Sequence, residues 1–260
     1  KTFSIQGYNT PANVTMPAGL KAGINYDNSN TSHAYLVLHT PTSTNYKKGD
    51  GTVSGSNTTA SKNVVHVIGD FNNWTINNSY LLKKDSAKNR FWIELTGLTP
   101  QANHSYQYLI NGVLRVADPY STTILDETND QYINATTYPN LPAYPTGKTN
   151  HAVTLLRTGD APYIWQTTNF VKPAKTDLVI YELLIRDFDA LHSYDAVKAR
   201  LDYLQELGIN AIEFMPVMEF DGNESWGYNP SFHMALDKYY GTKTAFKQFI
   251  DECHNRGIAV

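Results

Sequence analysis

The sequence predicts an N-terminal all-β sandwich followed by the opening strands and helices of a parallel α/β barrel. Up to about residue 172, short β-branched and aromatic runs alternate with turn residues, as in sandwich proteins. From residue 178 onward the pattern reads strand, helix, strand, loop, helix and the start of a third strand. An α/β barrel needs about 250 residues. We therefore expect a sandwich at residues 1–172 and an incomplete barrel at residues 173–260, with the remainder supplied by a continuation or a second chain.

Composition allows a sizeable core and narrows the range of partners. The 260 residues are 41% hydrophobic and 17% charged, with a net charge of −3. The lack of a basic surplus argues against nucleic acid as a partner, and no stretch approaches the ~20 apolar residues of a membrane-spanning helix. The 18 tyrosines and 4 tryptophans suit stacking on flat ligands, although strands use tyrosine anyway. The low charge and the many Asn, Thr and Tyr residues lead us to expect an extracytoplasmic protein, secreted or at the cell surface.

The predicted strands of the first domain are short apolar runs bounded by turn residues. Asn111-Gly112 between two such runs predicts a two-residue type I′ hairpin, because both central positions need positive φ. Residues 42–63 lack periodicity and predict a loop. Residues 118–150 contain four prolines and predict an extended linker region. The predicted strands cover residues 34–39, 64–68, 91–95, 105–110, 113–116, 153–157 and 163–170.

The second domain alternates strand and helix patterns. Its first strand is a near-continuous apolar run, as expected of a parallel strand that is covered on both faces. Each helical stripe ends at a glycine, Gly208 or Gly257, suited to a C′ position. Cys253, the single cysteine, lies on the apolar face of the second helix and is expected to be a buried, inert thiol. The predicted strands are residues 178–185, 209–217 and 258–260, and the predicted helices are residues 197–207 and 246–253.

The loop after the second strand carries the sequence Trp226-Gly227-Tyr228-Asn229-Pro230. Ligands of parallel α/β domains meet the loops at the carboxyl ends of the strands, which is where this loop lies. A glycine between two aromatics lets the backbone turn tightly while both rings point outward. Such a platform suits a sugar ring, whose C–H bonds pack on an aromatic face. From the residues alone, a packed turn with two buried aromatics is an equally good interpretation.

Four motifs occur in an informative order. They are residues 68–74 (IGDFNNW), 181–188 (YELLIRDF), 209–217 (INAIEFMPV), and 226–230 (WGYNP) followed by 240–242 (YGT). Together they resemble the α-amylase superfamily, glycoside hydrolase family 13, and within it the branch of bacterial α-amylases, pullulanases, isoamylases and branching enzymes. The resemblance implies an immunoglobulin-like sandwich, akin to carbohydrate-binding module family 48, followed by the truncated start of a (β/α)8 TIM barrel.

The resemblance also implies roles for individual aromatic residues. Tyr228 matches the family tyrosine that stacks on the sugar at the cleavage subsite, and Trp226 and Asn229 flank it as substrate-binding residues. Trp74 matches the tryptophan of the sandwich signature, where we expect packing in the fold and a candidate glucan contact. Trp92 is a second candidate for an exposed aromatic that contacts glucan.

The family reaction is retaining hydrolysis or transfer at α-glucosidic bonds, with two carboxyl groups about 5–5.5 Å apart. The resemblance places the nucleophile, the acid/base and a third aspartate after the fourth, fifth and seventh barrel strands. No catalytic residue is therefore expected within residues 1–260, and the isolated chain is expected to be inactive. No cofactor is implied; calcium is implied only for the parent protein, with ligands outside this chain.

The resemblance predicts the N-terminal part of an α-amylase acting on starch-like α-1,4-glucans. Two alternatives remain: a debranching or branching enzyme of the same superfamily, and a non-catalytic glucan-binding protein with a degenerate barrel. Glu219, Asp221 and Glu224 lie near Tyr228, but such a run of acids is typical of a solvated loop rather than an acid/base pair.

Overall fold

The computed structural model describes residues 9–40, 44–47, 53–57 and 62–260. Contacts divide these residues into two compact units. The first contains the described residues up to Leu125 together with Pro145–Asp160, and the second contains Asp126–Tyr144 and Ala161–Val260. The predicted linker region is thus shared between the units. The predicted domain boundary at residue 173 stays a prediction, because contact clusters do not establish which part folds independently.

The first unit consists of antiparallel strands in two larger sheets and one strand pair. One sheet has the order β1-β2-β7-β6, and the other has the order β10-β11-β8-β5 with β9 paired to β8. The strands are β1 (Gly23–Tyr26), β2 (Ala34–His39), β3 (Thr44–Lys47), β4 (Val53–Asn57), β5 (Val65–Gly69), β6 (Lys83–Asp85), β7 (Arg90–Leu95), β8 (His104–Ile110), β9 (Leu114–Val116), β10 (Ile124–Leu125) and β11 (Val153–Leu156).

Both larger sheets contribute alternate residues to one hydrophobic core. Leu36 and Phe91 come from the first sheet, and Val65 and Tyr106 come from the second, and all four are fully buried. Because successive side chains of a strand point to opposite faces, the period-two apolar pattern places one face of each sheet in this core. The all-β prediction for this part of the chain is therefore confirmed at the level of its sheets.

The predicted turn at Asn111-Gly112 is present, but the predicted two-residue hairpin was wrong in its length, because Ile110 pairs with Leu114 and leaves a three-residue loop. Asn111 and Gly112 have φ values of 52° and 71°, and the amide of Val113 donates to the carbonyl of Ile110 at 3.1 Å. The prediction of a loop over residues 42–63 was wrong in part, because β3 pairs with β4 in antiparallel fashion. Residues 42–43, 48–52 and 58–61 of that stretch lie outside the described residues.

The second unit contains a parallel strand pair, β12 with β13, and a third strand position in parallel register. That third position is a bridge between Ala211 and Ala259, as the sequence predicted for the start of a third strand. Cys253 is buried on α4, and burial raises its thiol pKa to about 12, as expected of an inert thiol. The elements are β12 (Ile180–Leu183), α1 (Ile185–Phe188), α2 (Tyr194–Lys198), α3 (Leu201–Glu206), β13 (Ala211–Phe214), β14 (Met218–Phe220), β15 (Pro230–Leu236) and α4 (Lys243–Asn255).

The first predicted helix of this unit is divided into α2 and α3. Ser193 caps α2 by accepting a hydrogen bond from the amide of Ala196 at 3.1 Å. Arg200 lies between the two helices with a non-helical ψ of 8°, and its guanidinium contacts Asp189 at 3.2 Å. None of the helices in the described part of the chain is long and apolar enough to cross a membrane.

The predicted strand at residues 163–170 was wrong. The carboxylate of Asp251 on α4 accepts hydrogen bonds from the amides of Gln166 and Thr167, both at 2.8 Å, and from the hydroxyl of Tyr163 at 3.0 Å. These backbone donors bond to a side chain instead of a neighbouring strand, so the segment remains irregular.

The first barrel-like strand differs from its prediction in burial. The sequence predicts a strand covered on both faces, yet Ile180 is 52% exposed and Glu182 is exposed as well. Leu183 at the end of β12 is buried against the helices. Within the described residues, β12 is therefore covered on one face only.

Candidate functional site

The loop with the two aromatics connects β14 to β15. The side chains of Trp226 and Tyr228 are 61% and 66% exposed, and Asn229 is exposed beside them. The interpretation as a packed turn with two buried rings is therefore wrong. The rings flank Gly227 and are open to solvent, as a platform for a flat ligand requires.

A glycine is required at the centre of this platform. Gly227 has φ +86°, and a Cβ placed there would lie 2.1 Å from the carbonyl oxygen of Pro216. The amide of Gly227 donates to the Ser225 hydroxyl oxygen at 2.8 Å, and that hydroxyl donates to the side-chain oxygen of Asn229. The Ser225 hydroxyl thus links residues on both sides of the turn, and Gly227 at its centre packs against the backbone of Pro216.

The contact with Pro216 locates the platform in the fold. Pro216 follows β13 by two residues, so the backbone of Gly227 rests just beyond the carboxyl end of a parallel strand. In α/β sheets this is the edge at which ligands bind. The aromatic pair therefore stands where the sequence placed it, although it belongs to the β14–β15 hairpin and not to the loop directly after β13.

A buried ionic cluster lies at the base of the same hairpin. Lys238 is only 2% exposed; its ammonium forms an ion pair with Glu219 of β14 and lies 3.3 Å from Asp130. The neighbouring Asp237 accepts hydrogen bonds from the amides of Phe220 at 3.2 Å and Tyr239 at 2.8 Å. The single cation of Lys238 therefore contacts two buried carboxyl groups, those of Glu219 and Asp130, and the adjacent residue, Asp237, carries a third.

This imbalance of charge shifts the pKa values of the cluster. Burial raises the pKa of Glu219 to about 8, although the charge of Lys238 opposes the shift. Burial likewise raises the pKa of Asp237 to about 6. Burial alone would lower the pKa of Lys238, but the charges of Glu219 and Asp130 outweigh it and raise the pKa. The amine therefore stays protonated, and each of the buried carboxyl groups is harder to ionise than a free one.

The two candidate tryptophans of the first unit, Trp74 and Trp92, are buried. Trp74 is 7% exposed, donates from its indole nitrogen to Asp70 at 3.0 Å, and lines a cavity of about 690 Å³ together with Leu114 and Arg115. Trp92 is 5% exposed and donates to the carbonyl of Val14 at 3.0 Å. The expectation of an exposed Trp92 is therefore wrong, whereas the expected packing of Trp74 in the fold is confirmed.

Comparison with known proteins finds a family match in the C-terminal part of the chain. The family model of the α-amylase catalytic domain matches residues 189–260. A malto-oligosyltrehalose trehalohydrolase of Saccharolobus solfataricus is 41% identical over 96 residues, which are 37% of this chain and 17% of that protein. Residues 189–260 thus match the α-amylase catalytic domain, and the predicted resemblance to the α-amylase superfamily is confirmed.

Other members of the α-amylase superfamily match more of the chain. A 1,4-α-glucan branching enzyme of Nitrosomonas eutropha is 28% identical over 210 residues, which are 75% of this chain and 26% of that enzyme. A pullulanase from Bacillus acidopullulyticus has a TM-score of 0.58 at 21% identity, over 94% of this chain and 29% of that chain. A GBS pullulanase in complex with maltotetraose has a TM-score of 0.58 at 22% identity, over 92% and 32%. These likenesses show a shared fold, and the chain spans under a third of each protein.

The sequence did not predict the ionic cluster. Glu219 was interpreted as part of a solvated acidic loop, but it is buried and paired with Lys238. Asp221 and Glu224 are exposed, as expected. Among the described residues, no group of three or more His, Cys, Asp and Glu side chains is arranged to hold a metal. The ammonium group of Lys238 lies against Glu219 and Asp130 of this cluster.

The cluster makes stability depend on pH. The unfolded chain releases the Glu219 proton near pH 4.5, whereas the folded chain holds it to about pH 8. The folded state therefore binds more protons across this window, and stability falls as pH rises through it. We expect a loss of a few kcal/mol, since one pKa unit corresponds to about 1.4 kcal/mol.

The measurement is the midpoint of thermal unfolding, followed across that pH window. Glu219→Gln cannot ionise and should flatten the dependence, whereas Asp221→Asn, at an exposed position in the same loop, should leave it unchanged. An equally steep pH dependence in Glu219→Gln would show that other groups cause it.

Proposed function

We propose that this chain is the N-terminal part of a retaining α-glucan-active glycoside hydrolase. In this proposal, an immunoglobulin-like sandwich precedes the start of a (β/α)8 catalytic barrel. The observation that carries it is the exposed pair of Trp226 and Tyr228 beyond the carboxyl end of β13. The match of residues 189–260 to the α-amylase catalytic domain supports it, as do relatives named for malto-oligosyltrehalose and 1,4-α-glucan and a pullulanase structure that holds maltotetraose.

The platform binds sugar and does not cut it. The ring of Tyr228, 66% exposed, offers a flat apolar face to the C–H bonds of a glucose unit. Asn229 is exposed beside it and offers its amide group to sugar hydroxyls, while its side-chain oxygen accepts from Ser225. The attacking and proton-donating carboxyl groups of a retaining enzyme belong, in this proposal, to later strands of the barrel.

The proposed reaction is hydrolysis of starch-like α-1,4-glucans, as in an α-amylase. The branching enzyme and the pullulanases among the relatives favour debranching or branching as the second candidate. Product analysis of the full-length protein on pullulan and on linear amylose separates these activities. A non-catalytic glucan-binding protein would bind both polymers and release no product from either.

Removing the ring at position 228 is expected to weaken glucan binding. In the full-length protein, Tyr228→Ala should raise the KM for maltodextrin roughly tenfold, which corresponds to about 1.4 kcal/mol of lost contact. Tyr228→Phe keeps the stacking face and should remain near the wild-type value. Initial rates over a range of maltodextrin concentrations provide the measurement.

Tyr203→Ala is the matched control, because Tyr203 is 53% exposed in the same unit and lies on α3, away from the loop. It should leave the KM unchanged. Equal KM values for Tyr228→Ala and the wild type would refute the carbohydrate role of this ring.

A further inference from the structure

The hairpin that carries the aromatic pair has an irregular backbone ladder. Met218 pairs with Leu236, but the next residue, Glu219, pairs with Phe232, and Phe220 pairs with Pro230. Proline offers no amide donor to the ladder. Backbone pairing alone therefore leaves the register of this hairpin weakly specified, and a slip would turn its side chains to the other face.

Side chains join the two stems of the loop where the ladder is weak. The Lys238 ammonium, after β15, pairs with Glu219 on β14. Asp237 accepts from the amide of Phe220 at 3.2 Å, and its own amide donates to the carbonyl of Val217 at 3.0 Å. These bonds connect the residues entering the loop with the residues leaving it.

The segment 126–144 of the same unit is fastened to this base. Asp130 lies 3.3 Å from the ammonium of Lys238 and accepts from the amide of Asp126 at 2.9 Å. Further up the loop, the side-chain amide of Asn223 donates to the carbonyl of Asn129 at 2.9 Å. The segment therefore braces the loop both at its stem and along its side.

We propose that Lys238 is a positioning residue for the Trp226–Tyr228 platform. Its ammonium holds Glu219 and Asp130 together, and so fixes the register of the β14–β15 hairpin and the placement of the two rings. Without that ammonium, Glu219 and Asp130 lose the group that bridges them. The inference rests on the proposed function, because the readout is the affinity of the platform for glucan.

The test is Lys238→Met in the full-length protein, which keeps an unbranched side chain shorter by one atom and removes the charge. We expect the KM for maltodextrin to rise about tenfold while kcat changes less than about twofold. This pattern indicates the loss of a contact that binds the substrate equally well in the ground state and in the transition state. In a Tyr228→Ala background the same substitution should add little, because a residue that acts through the ring has nothing left to position. Lys198→Met removes a partly exposed ion pair with Asp195 in the same unit and serves as the control.

The outcomes separate this inference from the proposed function. If Tyr228→Ala leaves the KM unchanged, the proposed function fails first. Two other results would overturn the inference and show that Lys238 is merely structural. In the first, Tyr228→Ala raises the KM but Lys238→Met only lowers the melting temperature. In the second, the double variant raises the KM by the product of the two single increases.

If Lys238→Met does not fold, Glu219→Gln answers the question instead, since it keeps an acceptor for the amine and removes the ionisable carboxyl group. A KM raised about threefold in the wild-type background, and unchanged in the Tyr228→Ala background, supports the inference. An unchanged KM in both backgrounds overturns it.

Discussion

Replacing Gly227 with alanine is expected to destroy the turn that presents Trp226 and Tyr228. The new Cβ would lie 2.1 Å from the carbonyl oxygen of Pro216 and 2.9 Å from its carbonyl carbon. Backbone atoms cannot rotate away as a flexible side chain can. The left-handed conformation at φ +86° adds about 1–2 kcal/mol for any residue with a Cβ. We expect a total destabilisation of roughly 3–4 kcal/mol.

Gly222→Ala is a matched control for this prediction. Gly222 lies in the same loop with φ +85°, but nothing lies within 4 Å of its added Cβ. It should therefore lose only the conformational part, about 1–2 kcal/mol, and keep its glucan affinity. Thermal unfolding and the KM for maltodextrin measure the two effects. Equal losses in both variants would show that the loop moves away from Pro216 without penalty.

The sequence predicted this turn because the signal is local. A glycine between two aromatics, followed by Pro230, favours a tight turn, but the residues alone fit buried rings as well as exposed ones. The partner of the turn was not predictable, because Pro216 approaches Gly227 through the packing of the loop on the end of β13. The local pattern therefore predicted the turn, whereas the exposure of the rings and the close approach that requires glycine depend on tertiary structure.

The buried cluster escaped prediction because its members are distant in sequence. Glu219 stands beside the solvated acids Asp221 and Glu224, so its neighbours indicate an exposed loop. Its burial depends on Lys238 and on Asp130, which comes from a segment that the sequence indicates only as an extended linker. Lysine is almost never fully buried unless paired, and pairing across such separations leaves no periodic signal.

One prediction about each of two aromatic runs, β7 and residues 163–170, was also wrong because contacts with distant segments leave no local signal. The alternation of β7 predicts one buried face, but Trp92 on its other face packs with Met16 and donates to Val14, so the N-terminal segment covers it. Residues 163–170 have the composition of a strand, yet Asp251, 85 positions from Gln166, binds their amides. In both cases the local pattern is typical of a strand, but a segment distant in sequence determines whether its side chains are buried or its amides join a sheet.

Replacing Asp118 with alanine is expected to destabilise the first unit by roughly 4 kcal/mol. One carboxylate oxygen accepts hydrogen bonds from the hydroxyls of Tyr106 at 3.0 Å and Tyr108 at 2.9 Å, and the other accepts from the amide of Tyr120 at 2.8 Å. All three side chains of the Asp118–Tyr106–Tyr108 group are fully buried. Burial raises the pKa of Asp118, against these hydrogen bonds. Alanine would leave two buried hydroxyls without this acceptor, at about 1–3 kcal/mol each.

A mutant cycle separates these hydrogen bonds from the loss of packing. In a Tyr106→Phe/Tyr108→Phe background the donors are absent, so Asp118→Ala should destabilise by only about 2 kcal/mol. Asp160→Ala, which removes an exposed ion pair with Arg157 at 2.7 Å, should change stability by less than about 1 kcal/mol. Urea unfolding of each variant provides the free energies. If Asp118→Ala is equally destabilising with and without the tyrosine hydroxyls, its effect comes from the cavity and the contact with Tyr120, and the two hydroxyls are satisfied by other groups.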